Sequence, residues 1–418
     1  MPACGDDAGN PGGHAVRMRS GSRRGGTAVA GAVTVLALVG GCVSEPALPE
    51  HTSIEVDRPR ALYDEAIRTR ITGLPPGATV TVTATTKGRQ AGWRSEATFR
   101  ADGGGVVDLT EDQPLDGSYE KADGMGLFWS MKPGKKGVRW FAPPGSSDRP
   151  AYDVRLVVSA EGKPSARRTV TRVGMEKGVR HRSLRVEKDG LHGELYLPPP
   201  GAQAAAPVLL FGGSEGGDTQ WGRAALLASR GHPALSLCYF RCPGRPENLE
   251  GIELEYFARA AEFLLGQEGV EDRKLVVAGS SRGSEAAQLL AQHRPGLVED
   301  AVAFASSNHV APALPDAGAD AWTRNGEPVP QDWIPLDDVR GTVLGVAGGD
   351  DRLWDATYLS EPLAKRHRLL TYEKAGHFVS GPPYLPEAKP GWRYGGTRAA
   401  NAAAKADAWP EVLKLVRE

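Results

Sequence analysis

The residues of this chain best suited to chemistry begin with a serine between glycines, Gly279-Ser280-Ser281-Arg282-Gly283. An apolar run, Lys274–Ala278, precedes this stretch, and the helical pattern Ser284–Leu290 follows it. A strand, a sharp turn and a helix in that order expose a serine hydroxyl on a strained backbone, and the glycines relieve the crowding around it. A serine hydroxyl is a weak nucleophile at neutral pH, so it needs a neighbouring base, and the base needs a carboxylate to orient it. Both partners follow in the usual order: Gly348-Gly349-Asp350-Asp351-Arg352 offers the acid, and Ala375-Gly376-His377-Phe378 the base. Asp351 is preferred over Asp350 because it stands three residues past Gly348, and His309 is the rival base. A second copy of the serine pattern, Gly212-Gly213-Ser214-Glu215-Gly216, competes with the first.

The elements around these motifs decide between the two serines. Beyond about Arg180 the chain alternates apolar strands with helical stretches. Strands are expected at 184–187, 193–197, 207–211, 233–237, 274–278, 301–305, 342–346 and 368–372, with helices at Leu254–Leu265 and Ser284–Gln292. Val-, Leu- and Ala-rich strands alternating with helices imply a mostly parallel sheet covered on both faces. Eight strands opening with a hairpin-like pair match the α/β-hydrolase count. In that fold the nucleophile follows the fifth strand, which selects Ser281, and the loop after the third strand supplies an oxyanion donor. The expected oxyanion donors are therefore the backbone N–H of Arg282 and those of Gly213 and Ser214. From about Ile54 to Val173 the rhythm is different. Thr79–Thr85 and Tyr152–Val158 alternate as half-buried strands do, and no long helix intervenes. A small antiparallel β-sandwich, immunoglobulin-like and all-β, is expected there.

Length and composition frame this reading. A chain of 418 residues exceeds one ordinary core, so two domains are expected; 40% apolar and 24% charged residues make it globular. The net charge of −1, without a basic stripe, gives no footprint for nucleic acid. Residues 1–42 read as a signal peptide: Arg17, Arg19, Arg23 and Arg24 precede an apolar run, Thr27–Val39, too short to span a bilayer. Gly40-Gly41-Cys42 resembles the lipobox of bacterial lipoproteins, which implies lipidation at Cys42, export, and anchoring to the outer face of the cell membrane. Secretion without an anchor, or a cytoplasmic protein if this segment is no signal, are the alternatives. The two cysteines in the body of the chain, Cys238 and Cys242, are open to a local disulfide or to two free thiols. No metal site or cofactor is expected.

The chain also resembles the acyl-CoA thioesterase / bile acid-CoA:amino acid N-acyltransferase family. The resemblance rests on Leu62-Tyr-Asp-Glu65, Gly117-Ser-Tyr119, Gly124-Met-Gly-Leu-Phe-Trp-Ser-Met131, Leu254-Glu-Tyr-Phe257, the Ser281 turn, Gly348-Gly-Asp-Asp351, Gly376-His377, Pro382-Pro-Tyr384 and Asp407-Ala-Trp409. It implies a β-sandwich at 50–175, a catalytic α/β-hydrolase domain at 180–418, and Ser281, Asp351 and His377 as the triad. In the family a cysteine nucleophile accompanies acyl transfer to amino acids and a serine accompanies hydrolysis, so Ser281 implies hydrolysis of an acyl thioester or ester. The stretch Asn325–Pro330 is short against the family pattern. Export conflicts with an intracellular CoA thioester. The alternatives are therefore an exported carboxylesterase or acyltransferase on an envelope or lipid substrate, or a non-catalytic lipid-anchored binding protein. Phe128 and Trp129 are expected to pack a core or a domain junction.

Overall fold

A computed structural model describes residues 51–145, 150–160, 163–203, 205–270, 274–387 and 389–417. The expected signal peptide at 1–42 and the lipidation site Cys42 lie outside the described residues. No helix among the described residues is long and apolar enough to cross a membrane.

Residues 53–173 build two sheets. Three short strands, Ser53–Val56, Thr69–Thr72 and Val107–Asp108, form one. The other has seven strands and centres on Thr79–Lys87, paired antiparallel with Gly92–Arg100 on one side and Ala151–Ala160 on the other. Strict alternation of β-branched and small residues makes Thr79–Lys87 a strand with one face buried: Val80, Val82 and Ala84 are inside, and Thr79, Thr81 and Thr83 are partly exposed. The expectation of purely antiparallel pairing fails at one edge. Arg60–Leu62 runs parallel to Thr171–Val173, because the chain reaches that edge by a long connection and not by a hairpin. The Met-Gly-Leu-Phe-Trp-Ser-Met segment forms a single helical turn, Gly126–Trp129, whose four residues are all buried.

The second half contains one eight-stranded sheet: β1 (Arg180–Leu184), β2 (Gly193–Leu197), β3 (Val208–Phe211), β4 (Ala234–Leu237), β5 (Leu275–Ser280), β6 (Val298–Phe304), β7 (Val343–Gly348) and β8 (Arg368–Tyr372). Their spatial order is β1-β2-β4-β3-β5-β6-β7-β8. Antiparallel pairs join β1 to β2 and β2 to β4, and every later pair is parallel. All residues of β3, β4, β5 and β7 are buried, as two covered faces require. Four helices matter for the site: α1 (Trp221–Ser229), α2 (Leu254–Leu265), α3 (Arg282–His293) and α4 (Arg398–Leu415). The opening strand lies earlier than its apolar pattern suggests. Val186–Asp189 forms a helical turn instead, closed by Gly190 at φ 69°, a left-handed conformation that suits glycine.

The two halves are bonded to each other. Tyr63 Oη donates to Gly222 O at 3.2 Å. Asp64 accepts from Arg230 at 2.9 Å and from Trp409 Nε1 at 2.7 Å. Arg398 donates to the carbonyls of Ser130 at 3.2 Å and Met131 at 2.7 Å, and Glu387 N donates to Trp129 O at 2.8 Å. Phe128 and Trp129 therefore serve both as core and at the junction: their side chains are buried and their neighbouring carbonyls hold the second half.

Candidate active site

The fifth strand ends in the turn that the sequence singled out. Ser281 has φ 54° and ψ −123°, a conformation that costs a non-glycine residue on the order of 1–3 kcal/mol and that tertiary contacts must hold. Gly279 and Gly283 make the turn possible. A Cβ on Gly279 would lie 1.9 Å from Gly283 O, and one on Gly283 would lie 2.2 Å from Gly212 O. Ser281 N donates to Phe304 O at 2.8 Å, which ties the turn to β6, and α3 starts at the next residue with residues 282–292 all buried.

Three side chains converge here from three strand ends. His377 Nε2 lies 3.0 Å from Ser281 Oγ, and His377 Nδ1 lies 2.7 Å from Asp351 Oδ2. The other oxygen of Asp351 accepts from Leu353 N at 2.9 Å, which fixes the carboxylate plane. His377 is held from behind as well, since its own N donates to Tyr394 O at 2.7 Å and Trp354 meets its ring edge-on at 5.5 Å. Asp350, the alternative acid, faces away: it pairs with Arg352 at 2.9 Å and accepts from Gly396 N at 2.8 Å. Those two bonds hold its carboxyl below the usual range. His309, the alternative base, meets Trp333 and exchanges hydrogen bonds with Ser307, away from Ser281.

The loop after β3 lies against the serine. A Cβ on Gly213 would fall 3.0 Å from Ser281 Cβ and 2.8 Å from Glu215 Oε2, so a larger residue here would make its neighbours shift. One of the expected oxyanion donors is engaged elsewhere. Gly213 N–H is given to Glu215 Oε1 at 3.0 Å, because the Glu215 side chain folds back over its own loop. The N–H groups of Ser214 and Arg282 remain, and that of Arg282 is an orphan donor of the first turn of α3. Tyr239 supports this loop from beneath, its hydroxyl bonding Gly212 O at 2.9 Å and Gly213 O at 3.3 Å. Tyr239 is itself held in a short ring closed by a Cys238–Cys242 disulfide, the pairing that the sequence left open.

Three buried charged groups lie near the serine. Arg223 stacks 4.6 Å over Phe304 and donates to Ser280 Oγ at 3.0 Å; burial lowers its guanidinium to about 10. The guanidinium of Arg282 donates to Pro312 O at 2.6 Å and Ala311 O at 2.7 Å and lies 2.9 Å from Glu285. Glu285 also accepts from Trp322 Nε1 at 2.9 Å, and burial outweighs the Arg282 charge, raising its carboxyl to about 7. Arg282 and Glu285 stand three apart on α3, a spacing that sets them side by side, whereas the contacts Arg223–Ser280, Arg282–Pro312 and Glu285–Trp322 join distant parts of the chain that spacing does not announce.

The sheet order and the serine, histidine and carboxylate at its strand ends define an α/β-hydrolase, an enzyme of the hydrolase class. Family models narrow this. "Acyl-CoA thioester hydrolase/BAAT N-terminal region" matches residues 64–186, and "BAAT / Acyl-CoA thioester hydrolase C terminal" matches 252–314 and 319–418. The chain belongs to this acyl-CoA thioester hydrolase / bile acid-CoA:amino acid N-acyltransferase family. It is 30% identical over 407 residues to the bile acid-CoA:amino acid N-acyltransferase of Mus musculus, covering 86% of this chain and 95% of that one. It is 27% identical over 399 residues to acyl-coenzyme A thioesterase 1 of Homo sapiens, covering 84% and 93%. Among solved structures, a putative dienelactone hydrolase from Klebsiella pneumoniae subsp. pneumoniae is 15% identical with a TM-score of 0.40, covering 56% of this chain and 97% of that one.

Proposed function

We propose that the chain hydrolyses acyl thioesters or esters through an acyl-serine intermediate, with an acyl-CoA type of thioester as the family-implied substrate. The observation that carries this reading is the His377 ring, which bridges Ser281 at 3.0 Å and Asp351 at 2.7 Å. His377 Nε2 takes the proton of Ser281 Oγ as the oxygen bonds to the acyl carbon. Asp351 keeps the ring in the required tautomer and stabilises its charged form without taking the proton. The oxyanion is met by the N–H groups of Ser214 and Arg282, aided by the positive end of α3, each donor contributing about 3 kcal/mol in the transition state. Collapse breaks the carbon–sulfur or carbon–oxygen bond, and His377 returns the proton to the leaving thiol or alcohol. Water, deprotonated by His377, then attacks the acyl-serine and releases the acid and Ser281.

Hydrolysis is preferred over transfer to an amine because the nucleophile is serine. A fluorophosphonate probe and a screen over acyl-CoA, p-nitrophenyl and phospholipid esters test the proposal together. Wild-type labelling that is lost in Ser281→Ala is the expected result. Equal labelling of both proteins removes Ser281 as nucleophile, and an acyl group recovered on a supplied amine assigns transfer. Export with a lipid at Cys42 forms part of the same proposal. The Cys238–Cys242 disulfide supports it, since such bonds persist in oxidising compartments. Radiolabelled palmitate that is incorporated equally in Cys42→Ser sinks Cys42 as the anchor.

A further inference from the structure

The loop after β3 places an anion beside the nucleophile. Gly216 and Gly217, at φ 64° and 73°, reverse the chain directly after Glu215, so the Glu215 side chain folds back along its own loop. Its Oε1 accepts from Gly213 N at 3.0 Å and from Thr219 Oγ1 at 2.8 Å, and Gln220 Nε2 donates to Thr219 Oγ1 at 2.9 Å. Its Oε2 reaches over the side of Gly213 that faces the Ser281 turn. A Cβ built on Gly213 would meet Glu215 Oε2 at 2.8 Å, Ser280 O at 3.0 Å and Ser281 Cβ at 3.0 Å. The carboxylate and the serine thus stand over the same face of one glycine. The Glu215 charge is also felt by the buried guanidinium of Arg223, whose protonation it favours against burial.

A carboxylate on a backbone N–H is the same kind of charged acceptor as a tetrahedral oxyanion. Two anions over one glycine repel, so the carboxylate and the oxyanion do not share this corner without a cost. Glu215 is free to leave it. The residue is exposed, as is Thr219. Arg241, exposed as well, donates to the Glu215 carbonyl at 3.3 Å and keeps a cation beside this residue.

We propose that Glu215 closes the oxyanion subsite from within, an inference that rests on the hydrolase reading above. Its carboxylate holds the Gly213 N–H until the carbonyl oxygen of the substrate displaces it, and Gly213 then becomes a third donor beside Ser214 and Arg282. A group that merely braced the loop would stay in place during turnover; a closing group leaves. While the carboxylate is in place the binding-competent fraction is small, and the apparent affinity falls by that fraction.

The test measures turnover of p-nitrophenyl butyrate and inhibition by an alkyl trifluoromethyl ketone. Ser281 Oγ adds to the ketone carbon, its proton passes to His377, and the hemiketal oxygen is left as an oxyanion. Glu215→Ala is expected to lower the ketone Ki and the ester KM together, by at least about fivefold, without a loss of kcat. Thr219→Val keeps Glu215 but removes the hydroxyl that fixes it, and is expected to lower Ki by about threefold. A higher Ki and a lower kcat in Glu215→Ala, both restored in Glu215→Gln, make Glu215 a brace and overturn the proposal. A crystal structure of the fluorophosphonate-labelled wild type reads the displacement directly. The phosphonyl oxygen is expected about 3 Å from Gly213 N with the Glu215 carboxylate moved away. A carboxylate that still holds the Gly213 N–H in that structure overturns the proposal. A wild type that neither turns over the ester nor takes the label removes the hydrolase reading and the subsite with it, whereas labelling with a Ki unchanged by Glu215→Ala removes only the closing role of Glu215.

Discussion

His377 donates through Nδ1 to Asp351 at 2.7 Å, while the adjacent carboxylate of Asp350 turns to Arg352 and Gly396. Two neighbouring acids thus make separate contacts, one with the His377 imidazole and one with Arg352 and Gly396. Asp351→Asn is expected to lower kcat by about 10⁴-fold, as loss of the tautomer-setting carboxylate does, whereas Asp350→Asn keeps most of the activity. Steady-state kinetics of both variants check this, and a reversed ranking makes Asp350 the acid.

Ser281→Ala and His377→Ala are each expected to lower kcat by about 10⁶-fold, and the double variant by no more, because the two groups act as a unit. Additive losses in the double variant would contradict that coupling.

Gly213 stands closest to the serine of the loop glycines. Gly213→Ala brings a methyl to 3.0 Å from Ser281 Cβ and 2.8 Å from Glu215 Oε2, so kcat is expected to fall by about 100-fold with the fold retained. Circular dichroism together with kinetics separates the two effects. Gly283→Ala meets backbone at 2.2 Å and is expected to lower Tm as well.

Tyr239 and the disulfide ring around it are expected to act through the oxyanion loop. Tyr239→Phe removes both bonds to the Gly212 and Gly213 carbonyls and is expected to lower kcat by about 10- to 100-fold at little change in KM. Reduction of Cys238–Cys242 is expected to cost about 2 kcal/mol of stability, the loop-closure value for so short a ring. Denaturation with and without reductant measures it.

Glu285 gives a pH dependence. Its carboxyl is raised by burial from 4.5 to about 7, so the folded protein binds this proton more tightly than the unfolded chain. The corresponding stability is fully present below about pH 4.5 and is lost as pH rises through about 7, amounting to at most about 3 kcal/mol. Glu285→Gln is expected to flatten that part of the Tm–pH curve. An unchanged slope would place the titration elsewhere.

How much was legible in advance differs from residue to residue. The Ser281 turn, β2, β3, β4 and α2 were readable because their signals are local: a glycine pair, short runs rich in Leu and Val, a period of 3.6. The first strand was displaced because Val186 and Glu187 continue the alternation of apolar and polar residues begun at Leu184, whereas in the fold they enter a helical turn closed by Gly190. Leu62-Tyr-Asp-Glu65 and Asp407-Ala-Trp409 were each visible as motifs, yet nothing in either announced that Asp64 and Trp409 bond to each other across 345 positions.

By itself, then, the sequence determined which residues could act and in what order along the chain, since strand rhythm and glycine spacing are properties of neighbours. Only the tertiary structure decided which groups meet. It turned Asp351 and not Asp350 toward His377, closed the Cys238–Cys242 ring next to Tyr239, and gave the Gly213 N–H to Glu215. The physical reason is that hydrogen bonds, desolvation and charge focusing depend on distances through space, and distant parts of a chain acquire those distances only when it packs.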